Sequence, residues 1–244
     1  MITDKYLPVM GYNVFCGKLS DLNYTKQILI NTFSPNSYGV ALTDKRFESA
    51  LKNSDLLVLD GIGVALASVF LNGKNIKKVA GQDCFDYFID QVNKKSGKCF
   101  FFGSTDETLL KIKNRISVEY PNVTVGYYSP PYKNEFSEED NITSRKVIND
   151  FAPDVLFVGL TAPKQEKWAY ENKDFLKVPV ISTIGNVFDW YAGNSKRPAK
   201  IWINLRLEWL ARIFMRPEIL KRNTGNQMLF VKDFLLVLFK LKKI

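Results

Sequence analysis

Asp60 is the side chain best placed to move a proton. It closes the apolar run Leu56-Leu57-Val58-Leu59 and precedes Gly61-Ile62-Gly63. Such a run reads as a strand buried on both faces of a parallel sheet, and a carboxylate at its carboxyl end faces the crevice where open α/β sheets bind ligands. A cap on the following helix is the other reading of this carboxylate. The glycines let another molecule come close to the backbone. They do not form a dinucleotide fingerprint, because the third glycine would fall at Leu66. The chain has no histidine. That excludes histidine bases, Ser–His nucleophile pairs and His-ligated zinc, and leaves proton transfer to carboxylates, lysine or tyrosine. There is no DxD motif, and neither a metal nor a cofactor is expected.

A second chemical segment is Asp154 to Tyr170, DVLFVGLTAPKQEKWAY. Val155–Val158 reads as another buried strand, Gly159 ends it, and Pro163 suits the first position of a helix, where its missing N–H would be unpaired anyway. Lys164, Gln165 and Glu166 then fall in the first helical turn. Free N–H groups and the helix dipole favour a phosphate there, and Lys164 and Gln165 suit a phosphorylated ligand. An ordinary βα turn with a solvated first turn is the alternative.

These positions need a frame. Short apolar runs at Gln27–Thr32, Leu56–Leu59, Cys99–Phe102, Thr124–Tyr127, Val155–Val158 and Pro179–Thr183 alternate with helical stretches. Ser104-Thr105-Asp106-Glu107 resembles a capping box opening a helix to about Val118, and Ser137-Glu138-Glu139-Asp140 loads another first turn with acid. Thr32 and Asn36 sit in a polar turn before a helix at Pro35–Leu42. Asp189 follows the last strand, as a nucleotide contact or a helix cap. Tyr128–Phe136, with Pro130 and Pro131, is the clearest loop. The βαβα order predicts an α/β fold, a doubly wound, mostly parallel sheet with helices on both faces. Residues 1–195 form this body, and 196–244 a basic helical C-terminal appendage.

Charge separates the two parts. Of 34 basic and 25 acidic residues, the appendage holds 12 basic and three acidic ones, so it carries the whole net charge of +9. An anionic partner is implied. Cys16, Cys84 and Cys99 are widely spaced and read as buried or idle thiols in a reducing compartment. The first residues lack a long apolar stretch, so no signal peptide is expected and the chain should stay in the cytoplasm. Met228–Ile244 is strongly apolar but carries five charges, whereas a spanning helix needs about 20 mostly apolar residues. On an ideal helix Lys232, Asp233, Lys240 and Lys243 fall in one arc, the form of a helix lying in a membrane interface with its lysines toward anionic headgroups. Packing on the protein's own body or on a second subunit is the alternative.

The segment around Pro163 resembles the VGLGxPKQExW signature of the bacterial WecG/TagA/CpsF glycosyltransferase family, which includes N-acetylmannosaminyltransferases of wall teichoic acid and enterobacterial common antigen synthesis. Leu59–Val64, Gly185–Asp189 with Gly193, and Leu207–Leu210 with Arg212 match in the same order, so the resemblance spans roughly residues 25 to 222. It implies an inverting, metal-independent transfer of N-acetylmannosamine or a related hexosyl group from a UDP-sugar to a polyprenyl-diphosphate-linked sugar. By the same resemblance Asp60 is the catalytic base, and Thr32, Asn36, Lys78, Gln165 and Asp189 bind substrate. Arg212 and Arg222 of the tail would close over the diphosphate. Thr161 stands where the family has a second glycine, Ser34 where asparagine is common, and Ile219 where a further basic residue is expected. Lys78 replaces an arginine, keeping the charge without the bidentate fork. The enzyme would work peripherally on the inner face of the cell membrane, and a homo-oligomer is compatible with the sequence.

The competing reading is a non-catalytic protein that docks an anionic membrane or nucleic acid through residues 196–244. Trp202, Trp209 and Phe214 recur at five to seven residues, which fits an apolar helix face better than base stacking. No nucleic acid partner is expected.

Overall fold

Pro8 hides the first element of the sheet from a sequence reading. Tyr6–Val9 (β1) and Tyr12–Phe15 (β2) form an antiparallel hairpin in which Val9 pairs with Tyr12. Its two-residue turn is Met10-Gly11, both at positive φ, as right-handed strand twist requires of such tight turns. Proline cannot donate to a ladder and is tolerated on an edge strand, and β1 is an edge. The computed structural model describes residues 5–196, 198, 202 and 217–243, the side chains of 217–222 excepted.

The remaining strands are β3 (Ile28–Phe33), β4 (Leu56–Leu59), β5 (Lys98–Gly103), β6 (Thr124–Tyr128), β7 (Val155–Gly159) and β8 (Val180–Thr183). The sheet order is β1-β2-β4-β3-β8-β7-β5-β6. Every pairing beyond the hairpin is parallel. The helices are α1 (Pro35–Ala41), α2 (Lys45–Lys52), α3 (Ile62–Asn72), α4 (Gly81–Lys94), α5 (Asp106–Glu119), α6 (Glu138–Phe151), α7 (Lys164–Asn172), α8 (Val187–Tyr191) and α9 (Pro217–Leu238). The expected doubly wound α/β architecture is present.

Alternation along the strands divides the core. Phe101 and Phe157 face α4, α5 and α8 through Phe85, Ile112 and Phe188. Phe100, Phe102 and Leu156 face the opposite layer, with Trp168 of α7 and Ile148 of α6, and the Trp168 ring stacks on Phe102 at 4.0 Å. Leu57, Leu59 and Phe33 bury α1, α2 and α3 on that same side. Local signals set the helix starts. Thr105 caps α5 by accepting from the Thr108 N–H, and Ser137 with Asp140 closes a reciprocal capping box on α6.

The appendage enters the described structure as α9, which packs on α1. Phe230 is buried between α1 and α3 and meets the Tyr38 ring edge-on. A Cβ at Gly39 would stand 2.4 Å from Asn226 Cα, so glycine permits backbone-to-backbone approach there. Asp233 is also buried, and accepts from the Tyr38 hydroxyl at 2.7 Å and from Lys242 at 2.6 Å. Burial alone would raise its pKa, but these two donors hold the carboxyl below its ordinary value. This corrects the single outward arc of charge expected for the tail: Asp233 turns into the body, because Tyr38 offers it a partner that no headgroup would. Among the described residues no helix is long and apolar enough to cross a membrane.

Candidate active site

The carboxyl ends of β3, β4, β7 and β8 open into one cleft of about 840 Å³, within the usual range of small-molecule sites. Thr32, Asp60, Gln165 and Asp189 all line it, together with Gly159, Thr183 and Gly185. Four of the expected site residues, taken from four separate stretches of sequence, are therefore neighbours of one space.

Asp60 is positioned by the ladder beyond its strand. Its N–H donates to the Phe33 carbonyl at 2.8 Å, which ties the end of β4 to the end of β3. Gly61, at φ +97°, then turns the chain into α3. Gly63 has a different purpose from the ligand approach expected of it. A Cβ there would lie 2.7 Å from the Pro35 ring, so this glycine admits the protein's own α1. Segment 76–80 runs beside β4, with the Val79 N–H on the Leu59 carbonyl. It carries Lys78 to within 3.4 Å of the Asp60 carboxylate. Both side chains are about one-third exposed, so the pair is open to solvent and to ligand.

Gln165 lies on the cleft's inner wall, and Glu166 is buried beside it. Gln165 is buried beneath Gly185, whose missing side chain leaves its Cβ position 3.5 Å from the amide. The Gln165 amide donates to the Glu166 carboxyl at 2.9 Å. Glu166 is 2% exposed. Burial outweighs the hydrogen bond from Gln165 and the nearby Lys167 charge, and pushes its carboxyl up to about 7. No role for Glu166 followed from the sequence, where it looked like an acidic residue in a solvated first turn.

Other expectations for this turn are revised. Pro163 is the cap residue of α7, after a cis Ala162–Pro163 bond, and Lys164 is its first helical residue. Lys164 lines the cleft, and its ammonium lies 3.6 Å from the centre of the Phe136 ring and donates to the Lys133 carbonyl. Desolvation lowers its pKa. It thereby fastens the 129–137 loop across the cleft, and that loop contributes Tyr132 and Lys133 to the lining. Those two were not singled out in the sequence; only the paired prolines marked the loop.

Asn36 does not line the cleft. Its side-chain carbonyl accepts from Asn226 of α9 at 3.1 Å. Ser34 caps α1, accepting from the Ser37 N–H. Lys78 reaches Asp60 rather than the cleft wall. Arg212 lies outside the described residues, and Arg222 belongs to α9 with only its backbone described. Among the described residues no group of three or more metal-ligating side chains occurs.

A model of the WecG/TagA/CpsF glycosyl transferase family matches residues 10–243. The chain belongs to this family. The matched span contains the whole parallel sheet and α9, so the cleft belongs to a glycosyltransferase. Curated relatives carry the description N-acetylglucosaminyldiphosphoundecaprenol N-acetyl-beta-D-mannosaminyltransferase. The protein from Bacillus subtilis strain 168 is 31% identical over 215 residues, 88% of this chain and 80% of its own length. That from Bacillus spizizenii is 28% identical over 82% of this chain and 76% of its own. One from Staphylococcus aureus strain MW2 is 26% identical over 78% and 73%.

Proposed function

We propose that the chain is an inverting hexosyltransferase that moves N-acetylmannosamine, or a related sugar, from a UDP-sugar to a polyprenyl-diphosphate-linked sugar. The observation that carries this reading is a strand-end carboxylate, Asp60, in a cleft large enough for a sugar nucleotide, in a chain with no histidine. The descriptions of the relatives supply the sugar and the lipid-linked acceptor.

In this reading Asp60 accepts the proton of the acceptor hydroxyl as its oxygen attacks the anomeric carbon. The bond from that carbon to the diphosphate oxygen breaks, the electron pair leaves with UDP, and the anomeric configuration inverts. A carboxylate is a weak base, so it helps most once the hydroxyl acidifies in the transition state. Lys78 supplies positive charge beside the base and toward the departing diphosphate, and Arg212 and Arg222 close over it. Gln165 and Asp189 contact the donor from the opposite wall. Neutralisation by fixed cations instead of a divalent ion is the metal-independent part of the reading, and the missing DxD motif supports it.

The enzyme would act from the cytoplasmic side, held to the membrane peripherally with its C-terminal region against anionic lipid. Screening UDP-sugars for turnover on a short-chain polyprenyl-diphosphate-GlcNAc acceptor tests the proposal. Turnover with a UDP-N-acetylhexosamine supports it; absence of turnover with every UDP-sugar refutes it.

A further inference from the structure

The outer surface formed by α3 and α9 is inverted relative to an ordinary protein exterior. On α3, Leu66, Val69 and Phe70 face outward, Phe70 at 62% exposure. On α9 Val231 and Leu235 do the same, as does Phe239 in the turn that ends it, at 68%. With 3.6 residues per turn these three span an arc of about 80°, on the side of α9 opposite Asp233, which is the helix's buried polar anchor. The helices lie side by side. Phe230 approaches Gly63, and Phe234 meets the Phe70 ring at 6.1 Å. The two apolar faces therefore flank one seam and make one surface. A joined apolar face of this kind marks an interaction site.

Its charge identifies the partner. Residues 61–80 contain no Asp or Glu, and residues 223–243 contain only Asp233, which is occupied internally by Tyr38 and Lys242. Among the residues whose side chains are described, the exposed charges bordering the surface are lysines: Lys74 and Lys77 after α3, and Lys232, Lys240 and Lys243 on and after α9. An apolar face bordered by these lysines suits an anionic lipid surface, acyl chains beneath and headgroups around. A second copy fits poorly, since a two-fold contact would set one lysine rim against another.

We infer that α3 of the catalytic body, together with α9, is a lipid-facing surface, so that the membrane is gripped by the helix that starts beside the catalytic carboxylate and not by the tail alone. α3 begins two residues after Asp60. At about 1.5 Å per residue, Phe70 lies about 12 Å along the helix from its start. Lipid contact at Phe70 would hold a lipid-linked sugar within reach of Asp60. The inference rests on the proposed acceptor for its purpose, but not for its test.

The test uses the full chain and vesicles of phosphatidylcholine with and without phosphatidylglycerol. Leu66→Ser with Phe70→Ser, and separately Val231→Ser with Phe239→Ser, should each weaken sedimentation with anionic vesicles at least tenfold. Leu110→Ser with Val118→Ser, exposed apolar residues on α5, should leave it unchanged. All three variants should keep the wild-type melting temperature and the wild-type turnover of a water-soluble short-chain acceptor. Turnover of a long-chain acceptor embedded in vesicles should fall only in the first two. Wild-type vesicle binding by the α3 variant overturns the inference. So does a wild-type dimer in sedimentation velocity that the α3 variant dissociates, because the face would then belong to a second copy. If the wild type turns over no polyprenyl acceptor, the proposed function fails while the vesicle result still decides the surface.

Discussion

Replacing Glu166 by glutamine should make the protein more stable at alkaline pH than at acid pH, relative to wild type. The Glu166 carboxyl ordinarily titrates at 4.5 and is pushed up to about 7 by burial. Between those values the folded chain keeps a proton that the unfolded chain releases. Wild-type stability therefore falls as pH rises from 4.5 to 7, and the loss is complete above 7. At 1.36 kcal/mol per pH unit, a rise from 4.5 to about 7 is worth about 3 kcal/mol, a large share of the 5–15 kcal/mol typical of a domain. Glutamine keeps the shape and an acceptor for the Gln165 amide but never ionises, so Glu166→Gln lacks this slope. Any constant cost of the substitution cancels when the two proteins are compared at two pH values. Urea unfolding of both at pH 4.5 and pH 8 measures the difference directly. The variant should gain about 3 kcal/mol on wild type across that interval. A gap that stays constant within about 0.5 kcal/mol would show that Glu166 ionises in the folded protein without cost, and would refute the reasoning.

Asp60→Asn should lower turnover by about 10²–10⁴-fold while UDP binding by calorimetry stays within a few fold; a loss below tenfold would remove Asp60 as the base. EDTA should leave wild-type turnover unchanged, and a strict need for a divalent ion would contradict neutralisation by fixed cations. Arg212→Ala or Arg222→Ala should depress turnover while the melting temperature holds, and unchanged rates in both would take the tail out of the active site. Gly159→Ala sets a methyl 2.4 Å from the Phe188 ring, so it should cost about 1–3 kcal/mol in urea unfolding. Gly39→Val should expel α9 from α1, seen as rapid proteolysis near residue 226, and intact protection would mean that the two backbones can part without loss.

The strands that carry the site were readable to within a residue or two because each is a short continuous apolar run with a small or polar residue at its end. Leu56–Leu59 came out with its observed bounds for that reason, and Asp60 with it. Helices α5 and α6 were readable from the caps at Thr105 and Ser137. The β1–β2 hairpin was not, since Pro8 argues against a strand and only edge placement makes it tolerable. Lys164 and Glu166 illustrate a different limit. Spacing assigned both to a first helical turn, but the direction of Lys164 depends on Phe136, far away in sequence, and the burial of Glu166 on tertiary packing. The partners of Asn36 and Asp233 were unreadable for the same reason: each pairs with a residue at least 190 positions distant, and no local pattern encodes such a partner.

The separation of those partners also sets an order of events during synthesis. α1 is among the earliest described elements to leave the ribosome, and α9 is the last. Domains fold as units, the N-terminal part of a chain first during synthesis, so once β8 has emerged α1 can pack on its sheet while the Tyr38 hydroxyl and the bare backbone at Gly39 stay uncovered. They are covered only when the lysine-rimmed helix arrives to bury Phe230 and Asp233. Until that moment the chain has Asp60 at the end of β4 but not the helix that completes the lysine-rimmed face. Translation thus makes the cleft first and α9 last, and under the proposed reading a chain released early would carry the cleft without its complete means of reaching the bilayer.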